Sequence, residues 1–178
     1  DNPVAYRAFL EALERRSSYD ERDILVAAQM YRRAVEADPR FAQAWAGLAE
    51  ANGAIHHFGY DRSPNRCQTA RDALDQARSL APKSPETMRA AAYFAYHCRA
   101  ATATARDAFQ QALDAWPGDA VAMKGMAYAC RRMGDYVEAE RWFRRAMELD
   151  PHNPTVAWIL GATIGLDHRY GEALELVD

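Results

Sequence analysis

The 178-residue sequence has few of the residues that build sheets: 7 Val and 4 Ile stand against 37 Ala. Ala is the best helix former and β-branched side chains favour the pleated surface, so a sheet-rich fold is excluded. Lysine is nearly absent, with 2 Lys beside 20 Arg, and the net charge is −3. Domains built to bind nucleic acid are usually strongly basic, so that class is set aside. The three cysteines, Cys67, Cys98 and Cys130, are odd in number and far apart, with no CxxC pair. That usage argues against a zinc site or a disulfide framework and predicts a reducing compartment, hence a cytoplasmic protein. No run of about 18 apolar residues occurs, which excludes a membrane span of that kind. Glycine-rich phosphate loops and nucleophile motifs are also missing, so the sequence predicts no enzyme and calls for no cofactor or metal.

What is present is a repeat. Pro39, Pro82, Pro117 and Pro151 are spaced by 43, 35 and 34 residues. Twelve residues before each stands an alanine (Ala27, Ala70, Ala105, Ala139), and five before each stands another (Ala34, Ala77, Ala112, Ala146). Between them, eight before the proline, lies Tyr31, Leu74, Phe109 or Phe143. Spacings of four and three put all three positions on one helical face, where small residues let another helix approach closely. The proline then ends the helix. The preceding segments carry stripes at i, i+3, i+4, such as Trp45–Leu48–Ala49, Met123–Met126–Ala127 and Ala157–Leu160–Gly161. These predict a second amphipathic helix in each unit.

This pattern resembles the tetratricopeptide repeat (TPR) family, a 34-residue unit of W-x2-L-G-x2-Y … A-x3-F … P. The segment from Ala120 to Pro151 fits without gaps, through Met123, Met126, Ala127, Cys130, Gly134, Tyr136, Ala139, Phe143 and Ala146. The resemblance covers nearly the whole chain and divides it into repeats of about 3–39, 40–82, 83–117, 118–151 and a partial 152–178. Repeat two is about nine residues too long, which predicts an enlarged loop at about 53–66, at whose start the repeat's first helix overruns and Phe58 and Tyr60 fold back onto the repeat. Repeat one carries roughly five extra residues around Arg16–Arg22. A more distant likeness is to TPR segments of bacterial signalling proteins that also carry cyclase or winged-helix domains.

The resemblance implies an all-α, right-handed superhelical solenoid of antiparallel helix pairs forming a single domain. Its concave wall is made by the first helix of each repeat, and the implied function is a non-catalytic scaffold that binds a peptide or partner segment there. The alternative is a regulatory or oligomerisation module of a larger bacterial signalling or transcription protein. Mapped onto this chain, the wall includes Arg7, Glu11, Gln43, Glu50, Glu86, Arg89, Tyr93, Tyr96, His97, Lys124, Tyr128, Arg131, Arg132 and Trp158. Arg89, Tyr93, Tyr96, His97, Lys124, Tyr128, Arg131, Arg132 and Trp158 are the candidate partner-binding residues. Cations beside rings suit an acidic or aromatic-bearing peptide. The lysine and asparagine pairs with which some TPRs clamp a terminal carboxylate are replaced here by Arg7-x3-Glu11, Arg89-x3-Tyr93 and Lys124-x3-Tyr128. A chaperone-tail ligand is therefore not expected. His56, His57, Asp61 and Cys67 are too few and too divergent to predict a metal site. The incomplete last repeat predicts an apolar edge, covered by further chain or by a second copy in a homo-oligomer.

Overall fold

The computed structural model describes residues 2–16, 20–61, 63–151 and 154–175. These are helices and short connections, with no strand among the described residues. In chain order the helices are α1 (Pro3–Arg15), α2 (Glu21–Ala37), α3 (Ala42–Phe58), α4 (Pro64–Leu80), α5 (Pro85–His97), α6 (Thr102–Ala115), α7 (Ala120–Arg132), α8 (Tyr136–Leu149), α9 (Pro154–Leu166) and α10 (Tyr170–Glu175). Odd-numbered helices are the predicted first helices of the repeats and even-numbered ones the second.

Two compact units are formed, residues 1–100 and 101–178. The division falls between α5 and α6, inside the third sequence repeat. In the first unit α1 pairs with α2 and α3 with α4, while α5 packs mainly on α3. In the second, α7 packs on α6 and α8, and α9 on α8 and α10.

The repeat positions do what their spacing predicts. Ala27, Ala70, Ala105 and Ala139 are buried, as are Ala34, Ala77, Ala112 and Ala146. So are Tyr31, Leu74, Phe109 and Phe143 between them. At two steps the ring at this position meets the next helix at a residue with no side chain. A methyl group on Gly47 would meet three ring atoms of Tyr31 within 2.8 Å, and one on Gly125 three ring atoms of Phe109 within 2.9 Å. At the step between α4 and α5 the residues at the same repeat positions are Leu74 and Ala90, a smaller side chain and a residue with a methyl group; both are buried.

The corners are built locally. Asn2, Asp20, Ser84, Asp119 and Asp135 cap their helices by accepting backbone N–H bonds, which satisfies donors that the first turn leaves free. α3 and α7 end at Gly59 and Gly134, whose φ values of 81° and 82° lie where a side chain is disfavoured. Tyr60 and Asp135 then donate back to the carbonyls of Ile55 and Cys130.

The enlarged loop is mostly not a loop. Gly53 to Phe58 continue α3, which is 17 residues long where α1, α5, α7 and α9 have 13. α4 begins at Pro64, so the connection is only 59–63. The turn is closed by Asp61, which accepts from the Ser63 N–H at 2.9 Å and from Arg66 at 2.7 Å. Arg66 also donates to Asn52 at 3.1 Å, and buried Asn52 donates to the Leu48 carbonyl. The Ser63 N–H, followed by Arg66, lowers the Asp61 carboxyl to about 2. The insertion expected around Arg16–Arg22 lies partly outside the described residues.

Candidate partner-binding site

In the first unit the wall is a face shared by α3 and α5, which pack directly on each other. Polar pairs cross it in register. Gln43 donates to Glu86 at 2.9 Å, and Arg89 donates to Glu50 at 2.8 Å. The second pair is deeply buried, with the two side chains 7% and 14% exposed. Further along, a methyl on Gly53 would sit 3.3 Å from His97. Beyond it the extra turn of α3 carries His57 and Phe58 up to α5.

There the rings gather. His97 lies 4.7 Å from His57, 5.2 Å from Tyr93 and 5.5 Å from Tyr96, measured between ring centroids. His57 lies 5.2 Å from Tyr96 and 5.3 Å from Phe58, and Phe58 lies 5.8 Å from Tyr60. Tyr93 and Tyr96 are buried, His57 and His97 are half-buried, and Phe58 is exposed at the lip. Nδ1 of His56 is buried with no hydrogen-bond partner among the described residues.

These placements redistribute the roles predicted from sequence. Arg89 is a wall residue, but Glu50 neutralises its charge, so it stitches α5 to α3. Tyr93 and Tyr96 form the floor of the ring cluster and His97 its centre. His57 and Phe58 belong to the cluster and were outside the predicted set. The signal for them was the run His56–His57–Phe58 in a repeat nine residues too long, once those residues are taken as extra helix.

In the second unit the remaining candidates lie on α7 and α9. Tyr128 is half-buried, edge-on to Phe143 at 5.3 Å, with the Arg131 guanidinium 5.8 Å from its ring centre. Lys124 lies one turn before Tyr128 on α7 and is half-buried, while Arg132 is exposed. Trp158, on α9, is 64% exposed. Cys130, also on α7, is a buried thiol pushed up to about 11 by burial, which keeps it protonated and unreactive at neutral pH.

The cysteine expectation is overturned. Cys67 and Cys98 form a disulfide, with Cα atoms 5.6 Å apart and 31 residues between them in sequence number. Cys67 is in the first turns of α4 and Cys98 caps α5, next to His97. Widely spaced cysteines conceal this, because only the pairing of helices in space brings them together. No group of three or more His, Cys, Asp or Glu able to hold a metal is found among the described residues. No helix among them is long and apolar enough to cross a membrane.

At the other end of α3 an open cleft of about 540 Å³ is lined by Asn2, Pro3, Tyr6, Asp38, Phe41 and Gln43. No local sequence pattern marks it, since it forms where the start of α1 meets the Pro39 turn.

Helix pairs that pack in chain order within each unit define a helical-repeat fold. The tetratricopeptide repeat family profile matches residues 16–52 and 101–154, just over half of the chain. The chain belongs to the tetratricopeptide repeat family. Among solved structures, PilW, a type IV pilus biogenesis factor, matches with a TM-score of 0.67 at 22% identity, over 99% of this chain and 76% of that one. YrrB, described as a TPR protein with an unusual peptide-binding site, matches at 0.56 and 18% identity, over 99% and 82%. MamA from Desulfovibrio magneticus RS-1 matches at 0.57 and 14% identity, over 97% and 89%. At these identities the likeness shows the fold. No curated protein sequence matches the chain.

Proposed function

We propose that the chain is a non-catalytic scaffold that docks a peptide or partner segment on the walls formed by its first helices. The observation that carries this is the ring cluster on α3 and α5, with floor residues Tyr93 and Tyr96 packed in place and Phe58 left exposed at the lip. Rings held rigid by their own packing offer contact area at little entropic cost. The second unit adds Lys124, Tyr128, Arg131, Arg132 and Trp158, a set of cations and rings that suits an acidic or aromatic-bearing segment. A TPR relative described as having a peptide-binding site supports the same class of ligand.

The test is a peptide selection from a random displayed library, followed by affinity measurements on Phe58→Ala, His57→Ala and Trp158→Ala. These positions are exposed or half-buried, so helicity should persist. Selected peptides should be rich in Asp, Glu or aromatic residues and lose about tenfold or more in affinity, roughly 1.4 kcal/mol. Unchanged affinity in all three variants refutes the reading. The disulfide favours an oxidising compartment over the reducing one that the cysteine count suggested.

A second reading, an oligomerisation module, draws on Leu166, Tyr170 and Leu174, all at least half exposed on the last two helices. Analytical ultracentrifugation decides it: a concentration-dependent dimer that Leu174→Glu abolishes supports it, and a monomer at all concentrations rules it out.

A further inference from the structure

The second repeat departs from the pattern in three places that meet. α3 gains a turn that brings His57 and Phe58 to the rings of α5. α4 starts early, so that Cys67 already lies within a helix. α5 ends on His97 and is capped by Cys98, the residue bonded to Cys67.

The packing around this point is uneven. In the other steps within a unit, the second helix of a repeat packs broadly on the first helix of the next: α2 on α3, α6 on α7 and α8 on α9. α4 touches α5 only lightly, and α5 leans on α3 instead. Leu74 and Ala90 stand at the positions where the α2–α3 and α6–α7 steps have a ring on a glycine. The covalent bridge therefore spans the thinnest of these joints and fixes the end of α5 that carries His97.

We infer that the Cys67–Cys98 disulfide holds the ring cluster in its docking arrangement, so that thiol–disulfide exchange at this bond turns the face on and off. The inference rests on the reading of that face as a docking surface. Both cysteines are only half-buried, so a dithiol reductant has a path to the bond. One thiolate of the reductant attacks a sulfur of the bridge and releases the other as a thiolate, which takes up a proton. The second thiol of the reductant then resolves the mixed disulfide. Two electrons pass to the protein, leaving Cys67 and Cys98 as thiols and the reductant as a disulfide. With the bond open, α5 is held by its packing on α3 and by its light contact with α4, and local opening becomes cheaper there than elsewhere.

Amide hydrogen exchange of the full chain, read by mass spectrometry, tests this in the oxidised form, after dithiothreitol, and in Cys67→Ser/Cys98→Ser. Residues 93–98 and 53–58 should exchange about tenfold faster or more with the bond open, while α2 and overall helicity are unchanged. A peptide selected on the oxidised chain should lose its affinity in parallel. Unchanged exchange at 93–98 overturns the inference. So does a rise throughout the first unit, which would make the bond a general stabiliser. Unaltered peptide affinity despite faster exchange overturns it as well. Exchange needs no ligand, so failure of the docking reading shows separately, as peptide binding that ignores Phe58 and His57 in the oxidised form.

Discussion

Replacing Gly125 by Ala should destabilise the second unit, although Ala is the better helix former. The intrinsic preference favours Ala over Gly by about 1 kcal/mol in a helix interior. Against it, the new methyl carbon would lie within 2.9 Å of three ring atoms of Phe109, which is fully buried and has no room to retreat. Overfilling a packed core costs about 1–3 kcal/mol, and a clash with three ring atoms belongs at the top of that range. The net loss is about 2 kcal/mol, a fall of about 4–8 °C in Tm for a chain of this size. Phe109→Leu alone leaves a void and costs about 1–2 kcal/mol. Combined with Gly125→Ala it recreates the Leu74–Ala90 pairing, so the double variant should be more stable than the sum of the singles by about 2 kcal/mol. Thermal unfolding followed by far-ultraviolet circular dichroism on the four proteins measures this. A stabilised Gly125→Ala, or strict additivity of the two changes, refutes the ring-on-glycine account of how these helices stack.

Arg89→Ala should cost about 3–5 kcal/mol by stranding the buried Glu50 carboxylate, whereas Arg89→Met/Glu50→Leu should be near neutral, as read by chemical denaturation. Equal losses in both variants would count against a buried pair. Burial raises the Tyr31 hydroxyl to about 12 from 10.0. Its contribution is therefore complete below pH 10 and lost as pH rises through 12, and Tyr31→Phe should flatten that alkaline limb in a pH–stability profile. Cys130, raised to about 11 by burial, should resist a thiol-alkylating reagent at neutral pH in the folded chain and react fully once unfolded. Rapid labelling of the native protein would show that the thiol is not shut away as described.

The repeat was legible because it is periodic. Ala27, Ala70, Ala105 and Ala139 sit at fixed offsets from the prolines, and a helix turns 3.6 residues at a time, so spacing alone assigns the buried face. The capping Asp and Gly residues are equally local, and they mark where α7 and α8 meet. The wall residues were legible as positions but not as roles. Whether Arg89 is a free cation or half of a buried pair depends on Glu50, 39 residues away in sequence number, and no local pattern links the two. His57 and Phe58 fell outside the predicted set because an overrunning helix does not by itself say which neighbouring helix its last turn meets.

The sequence by itself determined the class of fold, the helix order and the identity of the core, since these follow from short-range periodicity and chain stereochemistry. The tertiary structure alone decided which helices lean on which. It placed α5 on α3, put Cys67 beside Cys98, and turned five rings from two helices into one face. Such contacts join residues that are distant along the chain, and packing in space, not spacing in sequence, selects them.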